Sequence, residues 1–139
     1  MSGDGVVASI EAALPPYAKS IGITVAGVEN ASPLLALDFD SKLEGRPGFL
    51  HGGAIGGLLE MAALSALRLA LEARAPSLRI KPVNVTVEYL RGGTRQRTFA
   101  RGKVTRAGRR IANVSAEAWQ DDPAKPIAVA WMNVLLAEG

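Results

Sequence analysis

The sequence predicts one α+β domain in which a long helix packs on one face of an antiparallel sheet. The chain has 139 residues, which is about the size of a single domain. A proline-free segment from Gly52 to about Arg74 is dominated by strong helix formers. After Pro76 the pattern changes to an alternation of polar and apolar residues, which is typical of strands. A long helix followed by strands joined by short turns is the order of an α+β fold.

Residues 1–33 are predicted to form an N-terminal helix and a lead-in. The helix covers Val6–Leu14, where apolar residues recur at helical spacing, and it ends at two prolines. Leu34–Asp40 alternates as a strand, and Ser41–Leu50 contains the glycines and proline of a loop. No repeat or long linker interrupts the chain, so residues 1–139 are expected to be a single domain.

The long helix is apolar nearly all round, which predicts that it is buried at the centre of the fold. Tight turns are predicted at residues 107–109 and 121–123, where glycine or an Asp-Asp-Pro sequence occurs. Four strands are predicted after the helix: Val83–Leu90, Thr98–Thr105, Ile111–Gln120 and Ile127–Leu136.

The composition excludes several kinds of chemistry. The chain has no cysteine and one histidine, so disulfides, thiol nucleophiles and Cys-ligated or multi-His metal sites are excluded, and we expect no metal. The longest apolar stretch, Ala54–Leu67, is shorter than the roughly 20 residues that cross a bilayer. The N-terminus does not resemble a signal peptide. We therefore expect a cytoplasmic protein without a membrane partner, and the 48% hydrophobic content hints at oligomer contacts.

Glu60 is the polar residue that interrupts the apolar helix. A carboxylate among apolar neighbours is costly unless something compensates, so Glu60 is a candidate base or nucleophile. The alternative is a structural role, in which Glu60 faces solvent or pairs with Arg68.

The helix is predicted to begin at Gly52 and Gly53, directly after His51. Free backbone N–H groups in a first helical turn can stabilise an oxyanion, and glycines let a carbonyl oxygen approach closely. Loop flexibility and close helix packing are the alternative explanation for the two glycines. His51 either orients the substrate or satisfies a backbone group at the start of the helix.

The spacing of these groups predicts a site shared between two copies of the chain. Gly52 and Glu60 are eight residues apart on one helix, which separates them by about 12 Å. One carbonyl group cannot touch both. If both act on one substrate, the second must come from another copy across a two-fold axis.

A set of motifs resembles the hotdog-fold thioesterases, specifically the PaaI-like branch that hydrolyses acyl-CoA thioesters. The resemblance covers about residues 34–136. It implies about six antiparallel strands wrapped around the long helix, a dimer with a continuous sheet and often a tetramer. The motifs are the loop GFLHGG at 48–53, the acid nine residues after the histidine, the strand VNVTVEYLR at 83–91 and the hairpin GRR at 108–110.

The resemblance also implies roles for individual residues. Glu60 matches the acidic nucleophile or general base, Gly52 the residue whose N–H polarises the thioester carbonyl, and His51 the neighbouring histidine. Gly53 and Ser65 are expected to contact the substrate. The family's Asn or Gln before the histidine has no counterpart, since Glu44 and Gly45 stand there. The predicted reaction is hydrolysis of a small or aromatic acyl-CoA, with coenzyme A as part of the substrate and no further cofactor.

The positive charge is concentrated in one segment. Eight of the 16 cations and none of the 13 acids lie in residues 91–110, so the rest of the chain has eight cations against 13 acids. Such segregation fits a local polyphosphate better than nucleic acid, for which aromatic interleaving is absent. Arg91, Arg109 and Arg110 are the predicted contacts to the phosphates of coenzyme A. A solvated outer sheet face is the structural alternative.

Three other functions stay open from the sequence. The same fold could bind acyl-CoA as a sensor without turnover, or act as a hydratase or dehydratase, whose motifs we do not find. It could also be a non-catalytic interaction domain, which a salt bridge of Glu60 within the fold would favour.

Overall fold

The computed structural model describes residues 3–73 and 75–138. The predicted α+β architecture is confirmed, with one long helix against a six-stranded antiparallel sheet of order β1-β2-β4-β5-β6-β3. The helices are α1 (Gly3–Ala13), α2 (Pro16–Ser20) and α3 (Gly52–Glu72). The strands are β1 (Ile23–Glu29), β2 (Ser32–Leu37), β3 (Leu78–Tyr89), β4 (Thr98–Ala107), β5 (Ile111–Trp119) and β6 (Ala128–Glu138).

The second half of the fold follows the sequence prediction closely. All four predicted strands are present, and β3 begins at Leu78, five residues before the predicted Val83. Helix α3 starts at Gly52 as predicted and ends at Glu72; the predicted end, Arg74, lies outside the described residues. Periodicity predicts the existence of an element better than its ends, because end residues carry less of the pattern.

The lead-in is more structured than predicted. The segment 1–33 contains α2 and the edge strand β1 in addition to the expected helix, which covers Gly3–Ala13. Burial alternates at the start of β1, where Ile23 and Val25 are buried and Thr24 is exposed. This alternation is short and ends at a bulge before Gly27, so it gives a weak signal in the sequence.

Helix α3 is the core helix of the domain. It packs mainly on β4, β2 and β5, and twelve of its residues are buried. It is long and apolar enough to cross a membrane, but 67% of its most apolar window is buried inside the fold. The sheet approaches it very closely at Gly102 of β4, where a Cβ would lie 2.8 Å from the Ala62 backbone carbon. Only glycine allows this contact, which fixes how deep the helix lies in the sheet.

Candidate active site

The loop before α3 holds His51 in a defined position. The His51 N–H donates to the Leu43 carbonyl at 2.7 Å, and the Leu50 N–H donates to the Gly93 carbonyl at 2.9 Å. His51 has extended backbone angles and is the N-cap of α3, where its Nδ1 accepts a hydrogen bond from the Gly53 N–H at 2.8 Å. Because Nδ1 is an acceptor, the neutral imidazole carries its proton on Nε2. His51 therefore satisfies a backbone group and presents a donor outward from an exposed ring.

The N-cap hydrogen bond to His51 occupies the N–H group of Gly53 but not that of Gly52. Gly53 donates its N–H to His51, whereas the Gly52 N–H has no acceptor among residues 3–73 and 75–138. The Gly52 carbonyl accepts a hydrogen bond from the Tyr89 hydroxyl at 2.8 Å, which ties the end of β3 to the start of α3. Gly52 is thus a free donor at the positive end of a 21-residue helix.

Two tyrosines lie directly on the glycine-rich start of α3. A Cβ at Gly52 or Gly56 would lie 3.4 Å from the Tyr89 hydroxyl oxygen, and a Cβ at Gly57 would overlap the hydroxyl of Tyr17. Sequence reasoning did not identify either tyrosine. The available signal was the four glycines at 52, 53, 56 and 57, since glycine weakens a helix interior unless a close contact requires it.

Glu60 is half-buried in the third turn of α3 and has a free carboxylate. Within the described part of the chain it makes no hydrogen bond and no ion pair. The alternative pairing with Arg68 is wrong, because Arg68 Nη1 instead donates to the Ala13 carbonyl at 3.4 Å. A carboxylate that is not engaged in an ion pair or hydrogen bond is what a general base or nucleophile requires.

A cavity of about 600 Å³ is lined by Met61 and by Leu64, which lies one turn beyond Glu60 on the same side of α3; Glu60 itself does not line it. It lies between the last turn of α1, the C-terminal half of α3 and the start of β3. Its volume falls in the range of about 300 to 1,000 Å³ that is usual for ligand sites. Ser65, predicted to contact substrate, is buried and lines this cavity, as does Leu64.

Glu44 occupies the position where the family's amide residue was expected. Its carboxylate accepts hydrogen bonds from Arg95 Nε at 2.8 Å and from the Gly48 N–H at 3.2 Å. The hydrogen bond from Arg95 holds the pKa of Glu44 below its ordinary value of 4.5, and the same pairing raises the pKa of Arg95. Glu44 therefore braces the loop before His51 as a charged carboxylate.

The three predicted phosphate contacts do not come together within one copy of the chain. The Arg91 N–H donates to the Ile127 carbonyl at one end of β6, and the Arg110 carbonyl accepts from the Leu136 N–H at the other end. Nine strand residues separate these points by about 30 Å. Arg91, Arg109 and Arg110 make no ion pair with any residue that the structure describes.

Part of the basic segment has a structural role. Three of its arginines are paired with acids on neighbouring segments, which supports the alternative of a solvated sheet face for these residues. The pairs are Arg95 with Glu44, Arg97 with Asp38 and Arg101 with Glu29.

One long helix enclosed by a six-stranded antiparallel sheet is the hotdog architecture, and the site lies at the start and middle of that helix. The family model of the thioesterase superfamily matches residues 47–127, which include His51, Gly52 and Glu60. The chain belongs to the thioesterase superfamily, and the protein is a thioester hydrolase.

Solved structures agree with this assignment of the fold. A protein from Chromobacterium violaceum is 38% identical, with 95% of this chain and 90% of that chain covered and a TM-score of 0.73. A mutant thioesterase from Pseudomonas aeruginosa is 22% identical, with 96% and 94% covered and a TM-score of 0.84. A protein from Ralstonia eutropha JMP134, described as phenylacetic acid degradation-related, is 22% identical, with 88% and 90% covered and a TM-score of 0.75. No curated protein matches the chain.

Proposed function

We propose that the protein hydrolyses acyl-CoA thioesters at two identical sites, each shared by two subunits of a dimer. The single observation that carries this proposal is the placement of a free N–H at Gly52 and a free carboxylate at Glu60 on one helix. Eight residues separate them by about 12 Å, so they can serve one thioester only from different copies.

The free edge of the sheet supports a specific dimer. Within residues 3–73 and 75–138, strand β3 pairs with β6 alone, and its 12 residues include Val83, Val85 and Tyr89, which are 60%, 42% and 55% exposed. An exposed apolar edge is a template for pairing with another strand. Two β3 strands paired antiparallel across a two-fold axis would continue the sheet and place the two α3 helices antiparallel. The start of one α3 would then face the middle of the other.

The proposed dimer would also bring the predicted phosphate-binding arginines to the same end of the molecule. Antiparallel β3 strands bring the end of one strand beside the start of its partner. Arg91 would then lie at the same end of the dimer as Arg109 and Arg110 of the partner subunit. Guanidinium groups bind phosphate strongly, so these three arginines are the proposed contacts to coenzyme A.

In the proposed reaction, the thioester carbonyl oxygen accepts a hydrogen bond from the Gly52 N–H of one subunit. Glu60 of the other subunit takes a proton from water, and the resulting hydroxide adds to the carbonyl carbon. The tetrahedral oxyanion is stabilised at Gly52, the C–S bond breaks, and coenzyme A leaves as its thiolate while the carboxylic acid is released. In the nucleophilic variant, Glu60 itself adds to the carbonyl carbon, the C–S bond breaks to release coenzyme A as its thiolate, and water then hydrolyses the resulting anhydride to the carboxylic acid and free Glu60.

Several finer expectations belong to this proposal. The resemblance to the PaaI-like branch favours a small or aromatic acyl group, and this stays a prediction. We also propose a cytoplasmic location, a homodimer that pairs into a tetramer, no nucleic-acid or membrane partner and no cofactor beyond the coenzyme A of the substrate.

Mixed dimers test the shared site directly. Glu60→Gln removes the base with little change of shape. Gly52→Pro removes the N–H donor at the first helical position, where proline is well tolerated, and His51 before it already has the extended backbone that proline requires. Each variant alone is expected to lose about 100-fold or more in kcat on acyl-CoA, measured by thiol release.

Unfolded and jointly refolded, the two variants form mixed dimers that contain one intact site and one doubly altered site. About a quarter of the wild-type activity should return, since half of the dimers are mixed and half of their sites are intact. No recovery, with mixed dimers confirmed by mass, would mean that Gly52 and Glu60 of one subunit act together. Binding of acyl-CoA by the wild type without thiol release would favour the sensor function instead.

A further inference from the structure

We propose that helix α1 sets the length of the acyl group, and that the cavity lined by Met61 and Leu64, one turn beyond Glu60, receives an extended aliphatic chain rather than a single aromatic ring. This inference rests on the proposed function and names the substrate class of that site. It departs from the small or aromatic acyl group that the resemblance to the PaaI-like branch favours.

The shape of the cavity supports a chain that lies along α3. Its lining includes Met61, directly after Glu60, and continues to Glu72 at the end of the helix. These eleven steps cover about 16 Å. An acyl group whose carbonyl is at Glu60 can therefore extend along the helix for much more than the width of one ring.

The chemistry of the lining favours hydrocarbon. Its apolar side chains are aliphatic, and none of the described residues that line it is aromatic. Charged side chains, among them Arg68, Glu72 and Arg79, also border the cavity. The main apolar contributors are Ile10, Leu14, Met61, Leu64, Leu71, Leu78 and Ile80.

Helix α1 forms one wall of the cavity, and a hydrogen bond from Arg68 shows where the end of α1 lies along α3. Arg68 Nη1 donates to the Ala13 carbonyl, so the end of α1 lies beside a residue about 12 Å beyond Glu60. Ser9, Ile10 and Ala13 of α1 line the cavity. A bulky side chain at Ala13 would therefore shorten the space for the distal part of a chain and leave the space next to Glu60 unchanged.

The neighbouring Ala12 provides a matched control. Ala12 and Ala13 are both exposed residues in the last turn of α1, so substitution of either is compatible with folding. Ala12 does not line the cavity but lies on a separate shallow groove with Val7, Glu11 and Lys19. Ala13→Phe and Ala12→Phe add the same side chain to the same helix, and only the first should enter the cavity.

The experiment measures kcat/KM for acetyl-, butyryl-, octanoyl-, decanoyl-, benzoyl- and phenylacetyl-CoA. In the wild type, kcat/KM should rise with chain length by up to about fourfold per methylene, and decanoyl-CoA should exceed both aromatic substrates. Ala13→Phe should lower the value for decanoyl-CoA by about 10-fold or more and keep acetyl-CoA within about twofold. Ala12→Phe should leave the whole series unchanged, and thermal unfolding checks that both variants are folded.

The failures of the two proposals are distinguishable. If the wild type hydrolyses none of these substrates, the proposed function is wrong. Two other results would overturn the inference about α1 while the proposed function stands. One is that the wild type hydrolyses these substrates but prefers an aromatic or short acyl group. The other is that Ala13→Phe and Ala12→Phe show the same dependence of kcat/KM on the acyl group.

Discussion

The two edges of the sheet differ in length and in what covers them. The β1 edge is seven residues long, is bent by a bulge between Val25 and Gly27, and is covered by α1. The Glu11 carboxylate accepts the outward N–H of Val25 at 3.3 Å. The β3 edge is 12 residues long and carries exposed Val83, Val85 and Tyr89. Natural sheets protect the edges that must stay unpaired, so the contrast supports the proposal that β3 pairs with another subunit.

The largest effect should follow from charging the β3 edge. Val85→Lys would bury an unpaired ammonium group between two β3 strands, which weakens the dimer by about 100-fold or more. Because each proposed site needs two subunits, hydrolysis should be lost at protein concentrations where the variant is monomeric. Analytical ultracentrifugation and thiol release measure the two effects on the same samples.

The β1 edge supplies the control for this prediction. Thr24 is exposed on β1, so Thr24→Lys should change neither the sedimentation nor the activity, and should change stability by no more than about 0.5 kcal/mol. A Val85→Lys protein that stays dimeric and active would show that β3 is not the interface.

A smaller effect is expected where the end of β3 meets the start of α3. Tyr89→Phe removes the hydrogen bond to the Gly52 carbonyl and should destabilise the protein by about 0.5 kcal/mol, the low end of the usual range because Tyr89 is 55% exposed. It should also lower kcat several-fold, because the Gly52 peptide is held less firmly.

Tyr17 is the matched comparison on the β1 side of the molecule. Its hydroxyl makes no hydrogen bond to any residue in the described ranges. Tyr17→Phe should therefore leave the stability unchanged, in contrast to Tyr89→Phe. Equal effects of the two substitutions on chemical denaturation would contradict a specific role for the Tyr89 hydrogen bond.

The smallest effect should come from the Glu44–Arg95 pair, which joins the loop before α3 to the loop before β4. The pKa of Glu44 is lowered in the folded state, so its charged form stabilises the fold at pH values above 4.5. This contribution is lost as the pH falls through the lowered pKa. Wild type should therefore be slightly more stable than Glu44→Gln at pH 7, and this difference in stability should shrink as the pH falls below 4.5. A difference that grows on acidification would refute this assignment.

The sequence predicted the elements whose residues carry a long, regular pattern. The apolar segment from Gly52 and the four alternating segments after Pro76 all formed the expected helix and strands. It missed β1 and α2 because both are short, at seven and five residues. Their formation depends on packing against α1, the sheet and α3, which a local pattern does not record.

The candidate site was predictable in part. His51, Gly52 and Glu60 were identified because a histidine, a helix start and a lone carboxylate stand out in an apolar segment. Tyr17 and Tyr89 were missed, since each contacts glycines of α3 that are 33 or more positions away in the chain. Contacts between residues so far apart in the chain are not visible in the spacing of residue types along the sequence.

By itself, the sequence determined the fold class, the helix that carries the site and the separation of about 12 Å between Gly52 and Glu60, because helical rise is fixed by backbone geometry. It also located the positive charge in residues 91–110. Only the tertiary structure decided that Gly52 keeps a free N–H while Gly53 is capped, that Arg68 leaves Glu60 unpaired, and that Arg91 lies about 30 Å from Arg110. These outcomes depend on hydrogen bonds between groups that are far apart in the chain. Only the packing of the sheet around the helix determines which of these groups come within hydrogen-bonding distance.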